Sequence, residues 1–382
     1  MRHFLKPVCA AALVALASAA HADIKIGAIA PLSGGSAPMG ESVQIGMRIA
    51  VQEINAKGGV LGQKLILVER DDEAKNDNGE KLAVELIEKE KVAAFISFCN
   101  TGVALTAIDK IQNARLPLVI PCAGGAPMTR KFAAAPEGNY IFRVSADDVL
   151  QARKVASEAL RRGFTKVAVL TDDTAYGKFG HDELVKAAKD LGVEIVSDEK
   201  FKLGVKDLSA PLAKGKDAGA EAVLTWGIGP ELAVMAKSRV DIKFDVPMIG
   251  GWTLSMSNFV TGAGVFGNGV VMPATYLQFS PKNAKQAAFT EKALKAAGKD
   301  VLSSSPAAAQ SYDSVYLLAA AMEQAQSTNG TKVKDALENL TKPVVGVVKT
   351  YKRPYSKSNH EAQDDRSLGM GEIKDGKVYM VE

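Results

Sequence analysis

The sequence predicts an α/β protein of two lobes, each a parallel sheet wrapped by helices. Three observations carry this reading. A βαβ pattern opens the chain at residues 24–72. The same alternation of short apolar runs and helical stripes continues to residue 250. The ends of the apolar runs collect small and polar residues, as turns facing a ligand do.

The first unit begins with the β-branched run 24–30 and the turn-forming sequel Pro31 to Gly35. From Glu41, the residues Val43, Met47, Ala50, Val51 and Ile54 fall on one stripe at helical spacing, and Gly58-Gly59 suits a left-handed cap. A strand at 65–68 then runs into the acidic turn Asp71-Asp72. Such a crossover is parallel and right-handed, and ligands of these sheets lie beyond the carboxyl ends of the strands. This makes the turn 31–40, with Ser33 and Met39, a candidate ligand wall.

A helical stripe through Leu82, Val84, Leu86 and Ile87 precedes a strand at 92–98. Helix 103–113 and strand 116–120 follow. Their strands end in Phe98-Cys99-Asn100-Thr101 and Pro121-Cys122-Ala123-Gly124-Gly125, ahead of helix amino termini whose N–H groups favour an anion. After a loop at 133–139, the extended segment 140–144 is read as the first crossing into a second lobe.

That lobe repeats the pattern, with helices at 149–161, 177–191, 208–218 and 231–240 and strands at 167–170, 193–196, 222–226 and 247–250. Its strand ends carry Asp172 to Gly177, Trp226 to Gly229, and Gly251-Trp252. A strand at 269–276, ending in Tyr276, is expected to return to the first lobe, followed by helices at 284–297, 307–324 and 333–340. A hairpin closes the chain at Lys374 to Lys377. The expected division is residues 23–143 plus 273–350 in one lobe and 144–272 plus 351–382 in the other.

The 382 residues are 47% hydrophobic and 24% charged, enough for two real cores. Residues 1–22 have the form of a signal peptide: basic Arg2 and Lys6, an apolar stretch from Val8 to Ala19, and Ala20-His21-Ala22 as a cleavage site, placing the mature protein in the periplasm. Loss of Arg2 and Lys6 takes the formal charge from +4 to +2, which leaves no field for nucleic acid or an acidic membrane. Cys99 and Cys122 remain after processing. They follow neighbouring apolar runs, so a disulfide between them and a pair of buried thiols are both open, and geometry decides.

The run IGAIAPLSG, a Gly-Glu pair and then GMRIAVQEINAKGGVLGQKLILVERDD resemble the opening of periplasmic substrate-binding proteins of the branched-chain amino acid (Leu/Ile/Val-binding) transporter family. Further along, LPLVIPCAGGAP, IFRVSADD and KVAVLTDDTAYGKFG come in that family's order. The resemblance implies the type I periplasmic binding fold, two Rossmann-like lobes joined by a multi-strand hinge. It implies capture of a small organic solute by cleft closure and delivery to the membrane permease of an ABC importer, by a monomer with no cofactor and no metal.

Carried over by motif, the solute carboxylate falls to Asn100 and to Ala123, Gly124 and Gly125, with the neighbouring Thr101 a further candidate ligand-binding residue. Tyr176, Trp226, Gly227 and Trp252 line the opposite wall. Two departures bear on the ligand. Glycine stands where the family has a hydroxyl residue, and Trp252 stands where it has the acidic partner of the ligand ammonium. Asp172 or Asp173 could supply that charge for an amino acid; without it, an aromatic or aliphatic carboxylate fits better, because an unpaired buried ammonium is costly.

Catalytic chemistry finds little support. Gly262 to Gly267 matches a dinucleotide fingerprint by letter, but it precedes a strand instead of joining a strand to a helix. His181 and His360, the histidines beyond the leader, have no Cys or histidine partner at ligand spacing. Ser197 and Lys200 lie in a charged, surface-like stretch after a strand. An exported hydrolase or amidase is the competing class and would need an activated nucleophile with a base in reach. A sensor that hands its closed form to a receptor would use the same fold.

Overall fold

The computed structural model describes residues 22–381. The leader assigned to residues 1–22 therefore lies, except for Ala22, outside the described residues. In the first lobe, β1 (Ile24–Ala30), α1 (Ala37–Ala56), β2 (Leu65–Asp71), α2 (Asn76–Glu85), β3 (Ala94–Ile96), α3 (Thr101–Asn113), β4 (Leu118–Ile120), α4 (Pro127–Arg130) and β5 (Ile141–Arg143) alternate. Their sheet has the order β2-β1-β3-β4-β5, parallel throughout. Strands β3, β4 and β5 are buried at every position, which is why β3 and β4 read as unbroken apolar runs, while β5 ends in the buried Arg143.

Helix α1 begins at Ala37, earlier than its apolar stripe suggests. Pro38 sits in the first turn, where a missing N–H costs nothing and a fixed φ helps.

The second lobe contains α5 (Asp148–Arg161), β6 (Lys166–Asp172), α6 (Ala175–Leu191), β7 (Glu194–Phe201), α7 (Ser209–Asp217), β8 (Ala222–Trp226), α8 (Glu231–Asp241), β9 (Met248–Gly250), α9 (Ser257–Ala263) and β10 (Val271–Ala274). The strand expected to return to the first lobe, β10, instead extends the second sheet. It runs parallel to β9 at Val271 and antiparallel to β13 (Gly369–Lys374). Its residues are buried throughout, so its pattern suits the interior of either sheet and does not name one. Pairing with β9 stops at Val271, two residues before Pro273, which has no N–H to give. With β14 (Lys377–Met380), the sheet order is β14-β13-β10-β9-β8-β6-β7. The β13–β14 hairpin turns at Asp375-Gly376, both at positive φ (50° and 71°).

Between β10 and β13 the chain supplies α10 (Ala284–Ala297), α11 (Ser305–Ala325), α12 (Gly330–Glu338) and the small pair β11 (Val344–Val345) and β12 (Thr350–Tyr351). Helix α11 lies along α1. Gly46 permits this, because a Cβ there would stand 2.0 Å from the Ala308 carbonyl oxygen.

At the junction of the lobes, the segment after β12 pairs with the end of β5 through Arg143 and Glu361. The Arg143 guanidinium is fully buried. It gives two hydrogen bonds to the Glu361 carboxylate, at 2.7 and 2.6 Å, and one to the Gly125 carbonyl at 2.8 Å. Burial alone would raise the Glu361 carboxyl; the Arg143 charge overrides it and holds the group below its ordinary value.

Candidate functional site: the cleft between the lobes

Strand ends from the two sheets face one another across a cleft of ≈ 630 Å³. Ser36, Asn76, Asn100 and Thr101 line it from the first lobe, and Asp173, Tyr176, Ile228 and Glu231 from the second. The lobes touch at its rim, where the Asn258 side-chain amide donates to the Gly35 carbonyl at 3.0 Å.

Asn100 stands at the amino terminus of α3 in extended backbone and does not cap the helix with its side chain. Its amide donates to Ser36 Oγ at 3.0 Å, and Oδ1 is buried with no hydrogen-bond partner among the described residues. Across the cleft, Thr174 caps α6 by accepting from the Gly177 N–H, which sets Tyr176 in the first turn. Asp172 fixes the loops behind it: Oδ1 accepts from the Thr174 N–H and O–H, and Oδ2 accepts from the Ile228 N–H. Burial pushes the Asp172 carboxyl up to about 6 against the pull of these hydrogen bonds.

The Tyr176 ring is buried, 5.9 Å from the Trp226 ring centre. Burial, and after it the Asp148 charge, hold its hydroxyl above the ordinary tyrosine range; Thr253 acts against them but forms no well-aligned hydrogen bond with it.

The glycines after β4 do not line the cavity; they make room behind it. A Cβ on Gly125 would lie 2.4 Å from Thr101 Cγ2, and the Gly125 N–H donates to Thr101 Oγ1 at 3.3 Å. A Cβ on Gly124 would lie 2.2 Å from Asp148 Oδ1. The space a larger residue would fill is thus taken by the Thr101 and Asp148 side chains. Ala123 is buried beside them, its carbonyl accepting from the Ser145 hydroxyl. Asp148 is itself fully buried, and neither carboxylate oxygen has a hydrogen-bond partner among the described residues. Desolvation raises it well above the carboxylate range, with Arg143 opposing. Sequence reasoning quoted the Asp147-Asp148 pair but gave it no role. The signal was there, an acidic pair opening a helix directly after a crossing strand. Ser36, Asn76 and Glu231 were also missed.

Several expected wall residues lie elsewhere. Ser33 is exposed and hydrogen-bonded to Asp71, and Ser36, three residues on, faces the cleft. Met39 is 1% exposed in the core of the first lobe, because the early start of α1 turns it inward. Trp226 is fully buried: a Cβ on Gly180 would come within 2.1 Å of its indole, so it packs beneath α6. Gly227 lies behind the wall, its carbonyl accepting from the Thr253 hydroxyl. Trp252 borders a separate small void with Cys122 and Gln151. Tyr276, carried by the misplaced strand, packs on Phe289 and hydrogen-bonds Thr290, away from the cleft.

Cys99 and Cys122 are both buried and both free thiols, so the disulfide considered above is not formed here. Burial, then the nearby Cys122, raise the Cys99 thiol. Ser197 and Lys200 lie inside β7, which runs longer than expected, and His181 reaches over from α6 to Asp198 at 2.8 Å. Among the described residues, no group of three or more His, Cys, Asp and Glu could hold a metal ion, and no helix is long and apolar enough to cross a membrane.

Two parallel-sheet lobes with their strand ends turned toward a shared cavity define the class of two-lobed solute-binding proteins. The model of the family described as periplasmic binding protein matches residues 23–377, and the chain belongs to that family. It is 28% identical over 379 residues to "Leu/Ile/Val-binding protein homolog 3" of Brucella melitensis, with 99% of each chain covered. It superposes with a TM-score of 0.80 on the branched-chain amino acid transporter substrate-binding protein LivJ of Streptococcus pneumoniae, solved with isoleucine, at 25% identity over 93% of this chain and 97% of that one. A solute-binding protein of an ABC transporter from Rhodopseudomonas palustris, solved with 3,4-dihydroxybenzoic acid, shares the fold at a TM-score of 0.81 and 23% identity, over 94% and 96% of the chains.

Proposed function

We propose that the mature protein is an exported, monomeric solute-binding protein of an ABC importer, cleaved after Ala22, which captures a small organic carboxylate and presents it to a membrane permease. The observation that carries this reading is a set of buried polar atoms left without partners among the described residues: Asn100 Oδ1 and the Tyr176 hydroxyl on residues that line the cleft, and both Asp148 oxygens in the wall behind Gly124. Buried polar atoms are ordinarily satisfied, and a bound solute is the natural partner for such a set. The favoured solute is a branched-chain α-amino acid. Its ammonium would compensate the Asp148 carboxylate, which takes over from the acidic residue replaced by Trp252. Its carboxylate would meet the first-turn N–H groups of α3.

An aromatic carboxylate is the second reading, favoured by the raised Asp148 carboxyl, which when protonated is a hydrogen-bond donor. The Streptococcus and Rhodopseudomonas proteins were solved with one ligand of each kind. A thermal-shift screen of branched-chain amino acids against benzoates and keto acids tests the proposal. We expect melting to rise with at least one of these groups, as mass action requires of a ligand specific to the folded state. No shift across the panel would remove the assignment.

A further inference from the structure

A second cavity, of ≈ 820 Å³, lies in the first lobe between the carboxyl end of α1, the face of α11 and the segment leading into β11. Counting along α1 from Ser36 to Ile54, it stands on the order of 25 Å from the cleft. Its floor is apolar, with Ile54, Val60, Ala319 and Leu340, and two tyrosines one helical turn apart, Tyr312 and Tyr316, form one wall.

The charges around it do not balance. Glu53 is spent: one oxygen accepts from Lys292 at 2.6 Å, and the other from the Tyr312 and Tyr316 hydroxyls at 2.6 and 2.8 Å. Glu323 accepts from the Leu61 N–H. Among the described residues, Lys57 and Lys342 have no ion-pair partner, while both line the cavity. Lys285 reaches over the two tyrosine rings, 5.2 and 5.4 Å from their centres, and donates only to the Val345 carbonyl. Burial lowers its pKa; Asp313 and Glu53 oppose this, and the neighbouring Lys57 and Lys292 add to the lowering. With Glu53 engaged, three ammonium groups face the single charge of Glu323; that excess of cations and an aromatic and aliphatic floor together describe a receptor for one kind of molecule.

We propose that this cavity is an accessory binding site, separate from the cleft, for an amphiphilic organic anion: an apolar, ring-sized body bearing a carboxylate or sulfonate. The anionic group sits among Lys57, Lys285 and Lys342, and the body lies on the tyrosine faces. The inference is independent of the solute assigned to the cleft.

The test uses the mature chain and the fluorescent probe 1-anilinonaphthalene-8-sulfonate, titrated against wild type, Lys285→Gln, Ala320→Trp and Tyr176→Ala, with melting curves confirming that each is folded. We expect one saturable probe site. Lys285→Gln should weaken it at least fivefold, Ala320→Trp, which fills the cavity, should abolish it, and Tyr176→Ala should leave it unchanged. Should Ala320→Trp not fold, the Lys285→Gln titration decides alone. Probe binding that survives Lys285→Gln unweakened, or that disappears in Tyr176→Ala, would overturn the proposal.

Discussion

At the scale of single residues, Asp148 separates the two ligand readings. A carboxylate that compensates a solute ammonium contributes about 1.5–3 kcal/mol through a charge-assisted hydrogen bond. Asp148→Asn should therefore weaken a branched-chain amino acid by at least tenfold in a calorimetric titration. It should leave an aromatic acid nearly unaffected, since the amide also donates. Equal losses for both solutes would show that Asp148 acts only through the packing behind Gly124. Tyr176 reports on the opposite wall. If its buried ring lies against the solute, Tyr176→Ala should cost about 1–3 kcal/mol of binding, and unchanged affinity in the same titration would move the site elsewhere. Asn100, Thr101 and Tyr176, which line the cleft, stand at strand-to-helix turns, where chain order alone fixes the position. Ser33, Met39 and Trp226 sit within a few residues of the cleft, but side-chain direction decides their surroundings, and a helix starting one turn early or a neighbouring glycine changes it.

At the scale of elements, the hinge and the return of α11 make separate claims. Arg143 has no solvent exposure and leans on Glu361, so Glu361→Gln leaves a buried guanidinium with only the longer, 3.8 Å approach of Asp147 as a paired charge. Removing one partner of such a pair costs about 3–5 kcal/mol, and urea unfolding should show a loss of that order; a loss below about 1 kcal/mol would mean the pair is solvated in solution. Asp313 on α11 holds the turn before β12, accepting from the Val347 and Val348 N–H groups and the Tyr351 hydroxyl. Burial nonetheless pushes its carboxyl up to about 7. The unfolded group titrates near 3.9, so between these values the folded chain keeps a proton that the unfolded chain has released. Its contribution is full at low pH and is lost as pH rises through about 7. The melting temperature of the wild type should accordingly fall more between pH 5 and pH 8 than that of Asp313→Asn, and parallel curves would contradict the assignment. Periodicity marked these elements well, including the terminal hairpin at Asp375-Gly376. It could not show which sheet β10 joins, because a short run buried on both faces fits either.

At the scale of the molecule, the parallel sheets and the facing of their strand ends were legible because βαβ units admit one handedness and put their ligand turns on one side. The cavity itself was not. It depends on how the lobes meet, through contacts such as Asn258 to Gly35 between residues more than two hundred positions apart. The same applies to the Lys285 cavity, which assembles from four segments of the chain, at residues 53–60, 285, 312–326 and 340–345. The central claim is that a solute is held unaltered between the lobes. A crystal structure grown with the solute giving the largest thermal shift tests it most directly. We expect density for the intact solute in the cleft, within hydrogen-bonding distance of Asn100 and Tyr176, and an interlobe contact at Asn258 that is kept. Density for a chemically altered product, or an empty cleft with the solute bound elsewhere, would contradict the account.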